Sequence, residues 1–188
     1  MKRILLTVAL LAILAAPASA QLISLWADDA MTQCSVTPGM AGTFDLYIVV
    51  EPDARGIFGA EFSIVNPSPA IFFTPPGGVT WNPAAQVTVS MGEFFGAGIS
   101  LGFGQCINVP MWVASYNFTS YEMNPVFFTL DVATTGEPPV TQTTINVAIC
   151  DEAHSKVEGF AYSHFGINQD CVIGTEETSW GAIKSMMD

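Results

Sequence analysis

Alternation of apolar and polar residues runs through most of this chain and restricts its fold to β-structure. In residues 43–50 every second side chain is large and apolar, namely Phe44, Leu46, Ile48 and Val50. Successive side chains of an extended backbone point to opposite sides, so these four would share one face. The pattern therefore predicts a strand that packs against a core on one side and meets water on the other.

The same period recurs in four further segments, at residues 58–64, 112–118, 126–132 and 145–149. Shorter candidate strands occupy residues 22–26, 71–74, 86–90 and 159–167. Clusters of Pro, Gly, Asn and Asp separate them and provide the turns. Many short strands at this spacing predict an all-β domain, an antiparallel two-sheet sandwich of the immunoglobulin-like or jelly-roll kind.

Two segments depart from the alternation. Residues 91–105 interleave five glycines with aromatic and aliphatic side chains, which fits either a bulged strand or an irregular loop whose aromatics close one end of the core. Near the end of the chain, Ser179 is a suitable N-cap for a short amphipathic helix over residues 180–187. So short a helix needs to dock on the sandwich to hold its shape.

The first twenty residues have the features of a secretory signal peptide. Lys2 and Arg3 precede an apolar run at residues 4–15, and small residues lead to a cleavage site after Ala20. The run is too short to span a bilayer, and no second apolar run of about twenty residues follows, so we expect no membrane anchor. The mature protein is expected to be secreted, periplasmic or held at the cell surface.

Removal of the signal peptide would leave a β-sandwich domain at residues 21–175 and a tail at residues 176–188. The whole chain has a formal net charge of −12, with five Lys and Arg against 17 Asp and Glu. Phosphate binding needs clustered basic side chains, so a nucleic-acid partner is not expected.

Four cysteines, Cys34, Cys106, Cys150 and Cys171, predict two disulfides in an oxidising compartment. Three pairings are possible. We favour Cys34 with Cys106 and Cys150 with Cys171, because the second pair brackets a compact polar segment. The spacing contains no C-x-x-C pair of the kind that usually builds a structural zinc site.

The segment between the last two cysteines holds the best metal-ligand candidates, Asp151, Glu152, His154 and His164. Carboxylates and imidazoles are suitable ligands, but the segment has neither a calcium-loop motif nor an H-E-x-x-H helix. A solvated loop accounts for the same residues. We therefore expect no metal and no other cofactor.

Signals for catalysis are weak. There is no G-x-S-x-G nucleophile motif, and oxidised cysteines would leave no thiolate, so the sequence does not predict an enzyme. A hydrolase that uses two carboxylates stays as an alternative, because any two acidic side chains can be neighbours in the fold. Trp81 and Tyr121, which have turn-like surroundings, are candidates for stacking on sugar rings and leave a carbohydrate-binding module as another alternative.

Three segments carry a resemblance to known proteins: LWADD at residues 25–29, GIFGAEF at 56–62 and TSWGAIKS at 178–185. In these the chain resembles a group of uncharacterised secreted β-domain proteins of environmental bacteria that end in a T-x-W-G-x-I-K-like signature. That resemblance implies no enzymatic activity. The strand GAEFSI at residues 59–64 is also similar to one in cohesin-like modules, which implies a jelly-roll sandwich and a protein partner. The cysteines and the terminal Trp segment depart from the cohesin pattern.

The prediction is thus an exported, non-catalytic structural or interaction module of the bacterial exterior. Its partner would be a protein, with a glycan as the alternative. An edge strand, residues 91–105 or residues 180–187 would provide the contact area.

Overall fold

The computed structural model describes residues 20–38, 41–73, 78–133 and 144–173. Apart from one short 3-10 helix, Pro83–Ala85, the regular structure of these residues is β-strand. The strands are β1 (Gln21–Trp26), β2 (Ser35–Val36), β3 (Gly42–Glu51), β4 (Ile57–Val65), β5 (Ile71–Phe73), β6 (Thr80–Trp81), β7 (Val87–Glu93), β8 (Gly98–Ile107), β9 (Met111–Ser120), β10 (Val126–Asp131), β11 (Ile145–Ile149), β12 (Lys156–Ile167) and β13 (Val172–Ile173). Residues 1–19 of the predicted signal peptide and the predicted helix after Ser179 lie outside the described residues.

Hydrogen-bonded neighbours follow the order β5-β9-β3-β1-β12-β10-β4-β8-β7. This path folds over on itself, so that a first layer (β5, β9, β3, β1) packs on a second layer (β11, β4, β8, β7). The long strand β12 joins the layers, because it pairs with β1 on one side and with β10 and β11 on the other. Most pairs are antiparallel, and the predicted two-sheet sandwich is confirmed.

Aromatic side chains from both layers meet in the centre of the core. Phe44 of β3 stacks on Phe118 of β9, with ring centroids 5.4 Å apart, and on Phe165 of β12 at 5.3 Å. Phe128 of β10 closes the group 5.2 Å from Phe118. Each ring is buried, and such rings contribute strongly to stability through the apolar area that they remove from water.

A bulge in β9 changes the face on which Trp112 lies. Ile48 pairs with Ala114, but the next residue of β3 pairs with Trp112, so Val113 is the additional residue. An additional residue reverses the side to which the following residues point. Alternation placed Trp112 in the core, whereas the structure places it half-buried against Tyr47, with ring centroids 5.6 Å apart.

Residues 91–105 form most of the hairpin β7-β8, and both of the sequence-based alternatives hold in part. The β4-β8 ladder shifts between the pairs Ile57–Ile107 and Gly59–Gly102, so the end of β8 in this segment is irregular, as in a bulged strand. The connection between the strands brings Phe94 into the core, where its carbonyl oxygen accepts a 2.6 Å hydrogen bond from the backbone N–H of Ile64. The hairpin therefore closes one end of the sandwich with an aromatic side chain.

The cysteine pairing differs from the favoured one. Cys34 is bonded to Cys171 and Cys106 to Cys150, with Cα–Cα distances of 5.4 and 5.8 Å. The prediction was wrong because it relied on how far apart the cysteines are in the sequence, whereas the pairing of the strands determines which cysteines are close in space. Ile57 of β4 pairs with Ile107 on one side and with Ile149 on the other, which brings the adjoining cysteines together.

Candidate functional site

The outer face of the second layer is flat because small residues cross its centre in one row. Gly59 of β4 pairs with Gly102 of β8 on one side and with Ala148 of β11 on the other. A Cβ atom at Gly59 would lie only 2.7 Å from the carbonyl oxygen of Leu101, so the close approach of these two strands requires glycine. Gly102 and Ala148 are partly exposed and Gly59 between them is buried, so no long side chain projects from this row.

A polar row lies beside the row of small residues. In it, Glu61 of β4 accepts a 3.2 Å hydrogen bond from the hydroxyl of Ser100. The carboxylate also forms an ion pair with Lys156 of β12, at 3.0 Å between Nζ and Oε2. These groups border a shallow depression of about 120 Å³, whose floor includes Gly59 and Ala148. The face thus offers a few fixed charges in an otherwise smooth surface.

Strand β7 adds exposed apolar side chains to the margin of this face. Val89 lies opposite Gly102, and Met91 lies opposite Ser100. Their side chains are 45% and 63% exposed. Within the described part of the chain β7 pairs with β8 alone, so its other side is a free edge. Exposed apolar groups beside a free edge are typical of surfaces that other proteins cover.

A second feature is a cavity of about 340 Å³ at the end of the sandwich closed by the β7-β8 turn. The residues that line it include the aromatic Phe73, Trp81, Phe95 and Tyr116 and the acidic Glu93. Burial, with a smaller contribution from the charge of Glu93, raises the pKa of the Tyr116 hydroxyl, which stays neutral at physiological pH. Trp81, a residue singled out from the sequence, therefore lines the larger of these two recesses.

Tyr121, the other sequence candidate for sugar stacking, lies far from this cavity. Trp81 pairs with Ala114 of β9, whereas Tyr121 follows the end of the same strand, seven residues further and so about 23 Å away. There its exposed ring packs on Phe72, with centroids 6.3 Å apart. The two side chains do not form a common platform.

The four metal-ligand candidates are not brought together. Asp151 caps a turn by accepting a 2.6 Å hydrogen bond from the backbone of Ser155, and the hydrogen bonds from Ser155 lower the pKa of its carboxyl group. His154 stacks on Phe58, with ring centroids 3.9 Å apart. Glu152 is exposed to solvent.

His164 lies apart on β12, where burial lowers its pKa and its Nδ1 atom has no hydrogen-bond partner. Among the described residues no group of three His, Cys, Asp or Glu side chains is placed to hold a metal ion.

A cluster of aromatic residues on the outer face of the first layer was missed from the sequence. Trp26 lies opposite Tyr47 in the β1-β3 ladder, and Trp112 packs edge-on against the same tyrosine. Burial and the charges of nearby aspartates, Asp45 among them, raise the pKa of Tyr47. The alternation of side chains in β1 could have placed Trp26 on the outer face, because Ile23 and Leu25 are the inward-facing residues of that strand.

The strand order and the two packed layers define a cohesin-like jelly-roll fold. The cohesin module of a family 33 glycoside hydrolase from Clostridium perfringens matches with a TM-score of 0.53 at 14% identity, over 81% of this chain and 99% of that module. A chain of the complex between CaDoc0917 and CaCohA2, the latter from Clostridium acetobutylicum, matches with a TM-score of 0.51 at 16% identity, over 78% of this chain and 97% of that one.

At these identities the similarity establishes the fold. No family model and no curated protein sequence matches the chain. Within the described residues, no helix has the length and hydropathy needed to cross a membrane.

Proposed function

We propose that this chain is an exported, non-catalytic module that binds another protein through the outer face of its second layer. The observation that carries the proposal is the flat row of small residues bordered by exposed Val89 and Met91 on a free edge strand. Protein interfaces combine an apolar centre with a polar rim, and the rim would be supplied here by the Glu61–Lys156 ion pair.

Two physical features support a protein as the partner rather than a small molecule. The depression at Gly59 is shallow, so it would bury little of a small ligand but would fit a broad surface. The unpaired edge of β7 could also accept an added strand, as in recognition by β-augmentation. The matching CaCohA2 structure was itself solved as a complex with another protein, CaDoc0917, which agrees with this class of function.

Export is the second part of the proposal. The first strand begins at Gln21, directly after the predicted cleavage site at Ala20, and its side-chain amide donates a 2.6 Å hydrogen bond to Asp53. The two disulfides are typical of proteins that fold in an oxidising compartment. We infer a signal peptide at residues 1–20, a binding domain at 21–175 and a tail at 176–188. The mass of the exported protein tests the cleavage.

The binding surface is tested by photo-crosslinking in the exterior fraction of the source cells. A photoreactive residue at Met91 should capture a defined protein, and one at Asp45, on the outer face of the first layer, should not. Unlabelled protein should compete for that partner, whereas the Met91→Asp variant should compete at least about tenfold less well, because a charge replaces an exposed apolar side chain of the proposed contact surface.

Met123→Asp is the matched control, because Met123 is 71% exposed and lies after β9, outside this face. It should compete like the unaltered protein. Equal competition by the Met91 and Met123 variants, or capture of the same partner from Asp45, would contradict the proposed surface.

A further inference from the structure

The aromatic cavity at the end of the sandwich points to a ligand of its own. We propose that it binds a small organic cation whose nitrogen carries alkyl groups, such as a quaternary ammonium compound. This proposal goes beyond the protein-binding role, because the cavity opens between the layers, whereas Val89 and Met91 project from the outer face of the second layer. Either proposal can fail without the other.

The charge of the cavity favours a cation. Among the described residues that line it, Glu93 is the one that carries a charge, since the Tyr116 hydroxyl is neutral. The two Lys and Arg side chains in the described ranges are engaged elsewhere, Arg55 with Asp53 and Lys156 with Glu61. Glu93 forms no ion pair with any described residue. A positively charged ligand would therefore find an available carboxylate.

The arrangement of the rings also favours a compact cation. Tyr116 meets Phe95 at an interplanar angle of 80°, and Phe73 meets Phe95 at 75°. Walls that stand at right angles surround a ligand from several directions, whereas sugar rings are usually stacked on coplanar rings. A cation placed over aromatic faces is attracted by their quadrupoles, and the attraction grows when water is excluded.

Size and exposure narrow the ligand class. The volume of about 340 Å³ is at the lower end of the range for small-molecule sites. Phe73 is 42% exposed, an apolar area that a bound ligand would cover. A bare metal ion or ammonium holds its water too strongly to enter such surroundings, whereas an alkylated nitrogen presents an apolar shell. The cavity thus fits a nitrogen cation with methyl or similar substituents.

The test is calorimetric titration of the full exported protein with choline and with 3,3-dimethylbutan-1-ol. The second compound has nearly the same shape but carbon in place of the charged nitrogen. We expect saturable binding of choline and at least about tenfold weaker binding of the neutral compound. Glu93→Gln should reduce choline affinity by about the same factor, because it removes the charge of the cavity with little change in shape.

Two tryptophan variants locate the site. Trp81→Leu should weaken choline binding, and Trp112→Leu, which alters a tryptophan on the outer face of the first layer, should leave it unchanged. Thermal unfolding of each variant establishes whether it is folded. If Trp81→Leu is unstable, the Glu93→Gln variant still tests the site, because Glu93 is exposed and its substitution should not disturb the core.

Several results would overturn the assignment: no saturable binding of choline, equal affinity for the neutral compound, or full affinity in Glu93→Gln. Binding of neutral oligosaccharides in place of choline would assign the cavity to a carbohydrate and would also reject the cation.

Discussion

Gly56 occupies a position that a larger residue would disturb in two ways. Its φ angle is +71°, and a Cβ atom there would lie 2.6 Å from Sγ of Cys106 and 2.9 Å from Sγ of Cys150. We predict that Gly56→Ala lowers the free energy of unfolding by more than about 1 kcal/mol, measured by urea denaturation.

Gly78→Ala is the matched control for this substitution. A Cβ atom at Gly78 would meet open space, so its effect should stay within about 0.5 kcal/mol. Similar losses in the two variants would show that the disulfide does not restrict the backbone at Gly56.

Glu122 makes the stability of the fold depend on pH. Its carboxylate accepts hydrogen bonds from the hydroxyl of Ser68 and, at 2.9 Å, from the backbone N–H of Asn124, and these bonds lower its pKa. Such a group stabilises the folded state above the ordinary glutamate pKa of about 4.3. That contribution is lost as the pH falls through the lowered pKa of the folded protein.

We therefore predict that Glu122→Gln is less stable than the unaltered protein at neutral pH and that the difference shrinks below about pH 4. Urea denaturation at a series of pH values measures this. Glu158→Gln, which removes an exposed carboxylate on β12, controls for the loss of one negative charge. A Glu122→Gln deficit that is constant across the pH series would exclude the carboxylate as its cause.

At the scale of the elements, the two disulfides fasten different parts of the sandwich. Cys106–Cys150 ties the end of β8 to the end of β11 on either side of β4, across 44 residues. Cys34–Cys171 ties the loop after β1 to the segment before β13, across 137 residues. Each bridge restricts the unfolded chain, and the longer loop is restricted more.

We predict that peptide mapping without reductant finds these two pairs, not Cys34 with Cys106. Replacing both cysteines of a pair by Ala should cost up to about 4 kcal/mol for the shorter loop and about 5 kcal/mol for the longer one. Chemical denaturation measures both losses. Detection of a Cys150–Cys171 peptide would contradict the sheet order as well as the pairing.

Strands with regular alternation were predictable, and β3 shows why. All four apolar residues that its pattern assigned to one face, Phe44, Leu46, Ile48 and Val50, are buried. Where a bulge intervenes, alternation misplaces the side chain. In β4 the ladder shifts between Ile57 and Gly59, so Ile57 takes the core position and Phe58 stacks on His154 instead. Bulges depend on the neighbouring strand, which the local pattern does not contain.

The candidate sites were less predictable because they combine distant segments. The cavity joins Phe73, Trp81, Glu93 and Tyr116, which belong to four different strands. Trp81 alone was singled out from the sequence, on the basis of its turn-like surroundings. The flat face arises from pairing Gly59 with Gly102 across two strands. Both glycines lie in segments noted from the sequence, but neither segment indicates that the two residues pair. Only the order of the strands brings these residues together.

For the whole molecule, the pairing of β1 with β12 determines when the fold can be completed. Gln21 of the first strand lies beside Gly159 in a parallel ladder, so β1 has only β3 as a neighbour until the last long strand arrives. Contacts between segments so far apart in sequence form slowly. A chain that still lacks β12 is therefore missing the strand that joins the two layers, so the sandwich can close only after residues 156–167 have been synthesised.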